Sequence, residues 1–433
     1  MQDFSTDPKH FALAATELGE QKPVLTSRAI YNNKGVMLIG KGVAINLRQY
    51  ERLQEHKLSV PLEESLQSEN SVSGISLRRS AEEIIENLPF FARMLADNRT
   101  RRAILKAIET VALPPPIIFQ LTLAQDVRNG VYQHLIRSAI TAGWLGHSPL
   151  KSRYDLETAV VAGLLHDIGM LHVDPILQQP EQQLDREQRR QLYAHPLVSS
   201  QVLERTRDYG ADVVRAVGEH QEYLDGSGYP RHLEGKALSL LGRILSLSQV
   251  VSAMFSYERA APEIRLSVLL RMTTHRFEEA MAMQVISVLQ PQRDVLNAPI
   301  NRLPSPTDLL CHIDALLLQW PLKIENKEEL SPERRSALVV LAKHADQIRR
   351  ALAGVGAAPE QLAKLGDDLL DDAVQIELTL MTHEAAWQLR TMARQARRRW
   401  AAQPDEAFPT PLAVWLQQVD ALVTTVYEAT EMQ

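Results

Sequence analysis

Four histidines and one aspartate in the middle of the chain have the types and setting for metal chemistry: His134, the adjacent pair His166-Asp167, His195 and His220. Imidazole nitrogen and carboxylate oxygen are standard ligands for divalent cations such as zinc, iron or manganese. Each of these residues is predicted on or beside a helix. Adjacent residues on a helix point about 100° apart, so His166 and Asp167 can approach one centre from neighbouring directions. The preceding run Ala159-Val-Val-Ala-Gly-Leu-Leu165 places the pair at the end of a buried, water-poor segment. Burying Asp167 there is expensive unless a cation or good hydrogen bonds compensate it. The competing reading is ordinary. A single histidine in a helical protein is most often a satisfied or surface residue, and spacing alone does not bring four together.

Composition excludes other kinds of site. Cys311 is the only cysteine among 433 residues, which rules out intramolecular disulfides and zinc sites built on several thiolates. Any metal centre must therefore use histidine, carboxylate or amide ligands. Hydrophobic residues make up 45% and charged residues 23%, an ordinary globular balance. The 47 Lys+Arg against 53 Asp+Glu leave a formal charge of −6, which makes no global case for nucleic-acid or membrane binding. The first residues lack the basic-then-apolar layout of a secretory signal, and no stretch approaches 18 consecutive apolar residues. A soluble cytoplasmic protein is expected.

The elements that must position these residues fall into three regions, at roughly 150 residues per domain an expected size for a chain this long. Residues 1–76 read as a small β-rich module and linker. Ala29-Ile-Tyr and Val36-Met-Leu-Ile are strand candidates around the turn sequence Asn32-Asn-Lys-Gly. Asn46-Leu-Arg-Gln49 reads as a capping box opening a helix through about His56, and the serine-rich stretch Ser65–Ser76 suits a linker. Residues 77–295 are dominated by helical periodicity, broken at Pro114-Pro-Pro116. Glu157–Leu171 reads as one buried apolar helix. Asp185-Arg-Glu-Gln188 is a helix start, and His195-Pro196 puts proline where a helix can begin. Residues 296–433 read as a C-terminal helical bundle with helices over 307–320, 331–353, 359–400 (with a break) and 410–429. The fold class expected is mainly α.

A specific resemblance emerges with Asp225-Gly-Ser-Gly-Tyr-Pro230, which follows Glu219-His-Gln-Glu222 and precedes Leu238-Ser-Leu-Leu-Gly-Arg-Ile-Leu245. With His166-Asp167-Ile-Gly169 and His195-Pro196, this ordered set resembles the HD-GYP domain, a bacterial branch of the HD phosphohydrolases linked to cyclic di-GMP hydrolysis. The likeness covers roughly residues 125 to 290. The Gly-Val-Met-Leu-Ile-Gly-Lys-Gly stretch near the N-terminus also resembles a small module often found before such domains. The resemblance implies a helical HD-type fold and two-metal hydrolysis, with cations about 4 Å apart sharing the attacking hydroxide. Carried over by motif, His134, His166 and Asp167 hold one divalent metal (iron, manganese or similar). Asp167 bridges to a second, whose histidines include His195 and His220. The loop Asp225, Gly228, Tyr229 and Pro230 is associated in the family with docking to diguanylate cyclase domains, and its glycines suit an exposed turn around Tyr229.

Several departures fall where that chemistry is carried. Gln221 stands where the pattern has a further histidine, Gln249 where it has an aspartate, and Ser252 where a second aspartate is usual. Met170 replaces a lysine expected beside the substrate phosphate, forfeiting charge-assisted contacts worth about 1.5–3 kcal/mol each. Arg259 is near the register of a substrate-binding basic motif without matching it. Asp167 is left as the only carboxylate among the matched ligands, although Glu219, Glu222 or Asp225 could compensate. One metal or none is expected, and a catalytically impaired domain that binds cyclic di-GMP, a related nucleotide or a partner protein. A residual phosphodiesterase, or a hydrolase of another phosphoester, is the alternative. Arg390, Arg394 and Arg398 share a helical face that an anion could meet, but pairing with Asp367, Asp368, Asp371 and Asp372 is the simpler reading.

Overall fold

The computed structural model describes residues 8–147, 156–178, 184–256, 260–291, 300, 302–319, 332–364, 372–401 and 410–431. The chain is mainly α and divides into two compact units, one of residues 1–256 and 276–281, the other of 257–275 and 282–433.

The first unit opens with helix α1 (Pro8–Gln21), which the sequence reading did not anticipate. Phe11, Ala12, Ala15 and Leu18 bury one face of it. Strand β1 (Val24–Thr26) follows, then β2 (Ile30–Tyr31) and β3 (Met37–Ile39), which pair antiparallel around the expected Asn32 turn. The Asn32 side chain accepts the backbone N–H groups of Lys34 and Val36, closing that turn. Asn46 caps helix α2 (Leu47–Gln54) through the N–H groups of Arg48 and Gln49. The stretch expected as a linker is structured. Leu66–Ser68 forms strand β4 against β1, the Val72 N–H donates to Thr122, and Ser73 caps helix α3 (Gly74–Asn87) in a capping box. Ser73 and Ser76 serve as caps there rather than as flexible solvated links, which composition alone does not distinguish.

Helices α4 (Pro89–Met94), α5 (Asn98–Thr110), α6 (Pro115–Val127), α7 (Asn129–Gly146) and α8 (Leu156–Leu165) build the core that carries the site. The proline run separates α5 from α6, with Pro115 and Pro116 accommodated in the first turn. Helix α8 stops at Leu165, so the apolar helix expected through Leu171 is shorter than its hydrophobic pattern suggested. Beyond it the backbone tightens into a 3-10 turn over Ile168–His172. Close approach is the reason. A Cβ on Gly169 would lie 2.5 Å from the carbonyl oxygen of His195 and 2.7 Å from the Ser199 nitrogen, while the Gly169 N–H donates to Ser199 Oγ at 2.9 Å. Helix α9 (Arg186–Tyr193) starts at the expected Asp185 capping box, and α10 (His195–Thr206) starts at His195-Pro196. Helices α11 (Ala211–Val217) and α12 (Leu240–Met254) flank the loop that carries Tyr229.

The second unit contains α13 (Pro262–Met272) and long helices over Pro306–Gln319, Pro332–Gly354, Asp372–Ala401 and Thr410–Glu431, close to the spans expected from periodicity. Their core includes Leu310, Ile313, Leu341, Leu352, Leu389 and Val419. Arg390 lies over the ring of Tyr427, and Arg397 pairs with Asp420. Asp372 pairs with Arg302, not with the basic helix. The Arg398 side chain and Asp367, Asp368 and Asp371 lie outside the described residues, as does Arg259. Among the described residues, no single helix is long and apolar enough to cross a membrane.

Candidate metal centre

The five residues singled out by chemistry converge within the first unit, although they come from four separate stretches of chain. His134 projects from α7, His166 and Asp167 follow the C-terminus of α8, His195 opens α10, and His220 follows α11. Two ligand groups result, His134-His166-Asp167 and Asp167-His195-His220, each with its donor atoms within 4.8 Å of one another. Asp167 belongs to both. Its Oδ2 lies 3.7 Å from His134 Nε2, while its Oδ1 lies 3.1 Å from His195 Nε2 and 3.5 Å from His220 Nε2. The two imidazole pairs are equally close, with Nε2 atoms 3.2 Å apart for His134 and His166 and 3.1 Å apart for His195 and His220.

A repeated local device aims three of the rings. His166 Nδ1 lies 2.8 Å from the Gly163 carbonyl, His195 Nδ1 2.6 Å from that of Leu192, and His220 Nδ1 2.7 Å from that of Val217. In each case the acceptor is three residues earlier, in the last turn of a helix, where carbonyls lack an intrahelical partner. A carbonyl oxygen only accepts, so Nδ1 carries the proton and Nε2 presents a lone pair inward. His134 is held differently: its Nδ1 lies 2.9 Å from the Ser252 hydroxyl, which also lies 2.9 Å from the His134 carbonyl and donates to it. The fixing of one ring nitrogen so that the other can ligate is the usual support of a metal-binding histidine.

The resulting centre turns imidazole nitrogens and one carboxylate toward one another. Asp167 Oδ1 is buried and receives no hydrogen bond. Protonating His134, His166 or His220 does not supply one readily. Burial drives the His134 imidazole down to about 4 against the pull of Asp167, and also lowers His166 and His220. Burial opposes ionisation of Asp167, whereas charge or a donated proton on His195 and His220 beside it lowers the carboxyl well below its ordinary value. An orphaned buried carboxylate oxygen facing converging imidazole lone pairs fits a divalent cation. Three helix C-termini also point here, those of α8, α9 and α11, each contributing up to roughly half a negative charge. Solvent reaches the cluster from one side: the His134 and Asp167 side chains are 16% and 14% exposed, whereas those of His195 and His220 are 4% and 0%.

The remaining carboxylates do not compensate. Glu219, fully buried, accepts from Arg215 Nε at 2.7 Å and from the Ser239 N–H and hydroxyl. Glu222 accepts the N–H groups of Arg231 at 2.6 Å and Leu233 at 3.0 Å. Asp225 accepts from the Ser227 N–H and hydroxyl, with Arg276 at 3.8 Å. Glu222 and Asp225 thus build the 221–235 loop, and Glu219 holds the start of α12. Gln249 is buried on α12 one turn before Ser252, Met170 is half-buried on the 3-10 turn, and Gln221 is half-buried with its carbonyl accepting the Tyr229 N–H.

The loop expected as an exposed turn is packed inward. The Tyr229 ring stacks on Tyr193 at 4.3 Å and meets His195 edge-on at 6.2 Å. Tyr229-Pro230 is a cis peptide, and a Cβ on Gly228 would lie 2.4 Å from the Glu222 Cα. The glycine is needed for backbone contact, so the turn folds onto the site instead of standing off it. Sequence reasoning also missed Arg137, one turn after His134 and 3% exposed, whose guanidinium donates to the Ser252 carbonyl. Its helical position beside His134 was the available signal.

Residues 117–278 match the HD domain family. A 3'3'-cGAMP-specific phosphodiesterase of Vibrio cholerae is 27% identical over 147 residues, covering 34% of this chain and 32% of that protein. A cyclic di-GMP phosphodiesterase of Pseudomonas aeruginosa is 40% identical over 102 residues, covering 23% of this chain and 24% of its own length. The chain thus spans about a third or less of these relatives. Among solved structures, an HDG"Y"P protein from Bdellovibrio bacteriovorus aligns with a TM-score of 0.34 and 16% identity, over 62% of this chain and 94% of that one.

Proposed function

We propose, starting from the HD domain that residues 117–278 of this chain form, that the protein is a bacterial cyclic-dinucleotide signalling protein that binds its nucleotide at a metal-dependent site and hydrolyses it poorly. The relatives named as acting on cyclic di-GMP or 3'3'-cGAMP support the ligand class. The observation that carries the impaired reading is electrostatic. Asp167 is the one carboxylate in either ligand group among the described residues, and Glu219, Glu222 and Asp225 are engaged elsewhere.

His134, His166, Asp167, His195 and His220 would hold the metal. A divalent cation there supplies Lewis acidity toward a phosphoryl oxygen and acidifies water. The chain's own residues orient and exclude. Backbone carbonyls and Ser252 keep every Nε2 unprotonated, the buried walls limit water to the His134 side, and Asp167 stays ionised. Two divalent cations would face a single carboxylate, and the helix C-termini offset only part of that charge. One cation is therefore held tightly and a second weakly. With Met170 in place of a cationic side chain, the substrate phosphate would lack a charge-assisted contact. Any diguanylate cyclase partner would meet the outer edge of the loop, where Arg231 and His232 are exposed, not the engaged Tyr229 ring.

Elemental analysis and equilibrium dialysis of the purified chain test this reading. The expected result is clearly fewer than two metals per chain, saturable binding of cyclic di-GMP or 3'3'-cGAMP, and slow turnover, with metal lost in Asp167→Ala. Two tightly bound metals with brisk turnover would refute the impairment. Absence of both metal and nucleotide binding would refute the site.

A further inference from the structure

Three of the four clustered histidines are aimed by backbone carbonyls, which no substitution removes, whereas His134 is aimed by a side chain. Ser252 on α12 lies 118 residues away in sequence, yet its hydroxyl accepts from His134 Nδ1 at 2.9 Å and donates to the His134 carbonyl oxygen at 2.9 Å. The second bond matters because it uses the hydroxyl proton. With the proton on that carbonyl, only an oxygen lone pair faces Nδ1, and the ring then donates from Nδ1 and presents a bare Nε2 to His166 and Asp167. Ser252 is fully buried, so water does not replace it at no cost. Arg137 holds the carbonyl of the same serine at 3.2 Å, anchoring this end of α12 against α7.

We infer that Ser252 is a positioning residue that selects the His134 tautomer and thereby sets cation affinity in the His134-His166-Asp167 group, leaving the Asp167-His195-His220 group little affected. The inference rests on the metal-binding reading for its second half only. The tautomer is a property of the protein without metal. A neutral hydroxyl makes the supported imidazole a weaker donor than a carboxylate would. The two ligand groups that share Asp167 are thus unequal by construction, and the group open to solvent is the one under side-chain control.

The test uses the full chain labelled with 15N-histidine, with the His134 signals identified from His134→Gln. In the metal-free protein, His134 is expected to show Nδ1 protonated and Nε2 free. Ser252→Ala should shift it toward a mixed or Nε2-protonated form, and Ser252→Thr, which keeps the hydroxyl, should restore it. The other clustered histidines should be unmoved. Unchanged His134 signals in Ser252→Ala would overturn the inference. Mn2+ titration then reads the consequence: the weakest binding step should fall about 10- to 100-fold in Ser252→Ala and recover in Ser252→Thr. An identical Mn2+ isotherm despite a shifted tautomer would overturn the claim on affinity. A wild-type chain that binds no Mn2+ refutes the proposed function, and the metal-free spectra still decide the role of Ser252.

Discussion

Replacing Gly169 by alanine perturbs the centre without altering any of its clustered side chains. The added Cβ would sit 2.5 Å from the His195 carbonyl oxygen and 2.7 Å from both the Ser199 nitrogen and hydroxyl. Two of these are backbone atoms that cannot swing aside, so the 3-10 turn and α10 must separate by about 0.5 Å or more to restore ordinary contact. Overpacking of this kind costs about 1–3 kcal/mol. Losing the Gly169 N–H to Ser199 bond adds about 1 kcal/mol. The same displacement opens the 3.1 Å approach of His195 to Asp167, because those residues sit on the two segments being pushed apart. Metal-ligand distances tolerate only about 0.2 Å. Gly169→Ala should therefore lower stability by roughly 2–4 kcal/mol and weaken Mn2+ binding at least tenfold, read by urea denaturation and by electron paramagnetic resonance of free Mn2+. Gly130→Ala is the matched control, since nothing lies within 4 Å of a Cβ there, and it should leave binding unchanged. Wild-type stability and Mn2+ affinity in Gly169→Ala would refute the reasoning.

His172 should govern part of the acid sensitivity of the first unit. It is buried, stacked on Phe11 at 4.7 Å, and burial lowers its imidazole to about 3. The unfolded chain then binds the proton first, so stability falls as pH drops from 6.5 toward 3, by at most about 5 kcal/mol for this group at about 1.4 kcal/mol per unit. His172→Phe keeps a ring on Phe11 and should flatten the stability-versus-pH slope in that window by up to one proton; an unaltered slope in equilibrium unfolding would refute it. Tyr229→Ala removes the ring that stacks on Tyr193 and flanks His195, and should weaken Mn2+ binding about tenfold, whereas Tyr229→Phe should bind like wild type. Equal binding by all three proteins would show that the ring does not hold His195.

Much of this site was legible in the residues because its makers are local. The Asp185 cap, the proline beside His195 and the break at Pro114–Pro116 act within a turn or two, and each appears where its pattern indicated. The i−3 carbonyls that aim His166, His195 and His220 are local too, but their use depends on each helix ending where it does. Continuous hydrophobicity concealed the end of α8, since an apolar helix and an apolar 3-10 turn carry the same pattern.

The sequence by itself determined the identity and order of the clustered histidines and aspartate, the lack of thiolates, and the absence of an acid at Gln249 and Ser252. Those are properties of residue type, and no packing alters them. Only the tertiary structure decided that Glu219 spends its charge on Arg215 and the Ser239 cap, Glu222 and Asp225 theirs on the Tyr229 loop, and that this loop closes onto His195. It alone brought a serine 118 residues from His134 to within 2.9 Å of that ring's Nδ1. A carboxylate or hydroxyl has the same chemistry wherever it stands. Its partner is set by which helices pack together, and that balance is summed over the whole core.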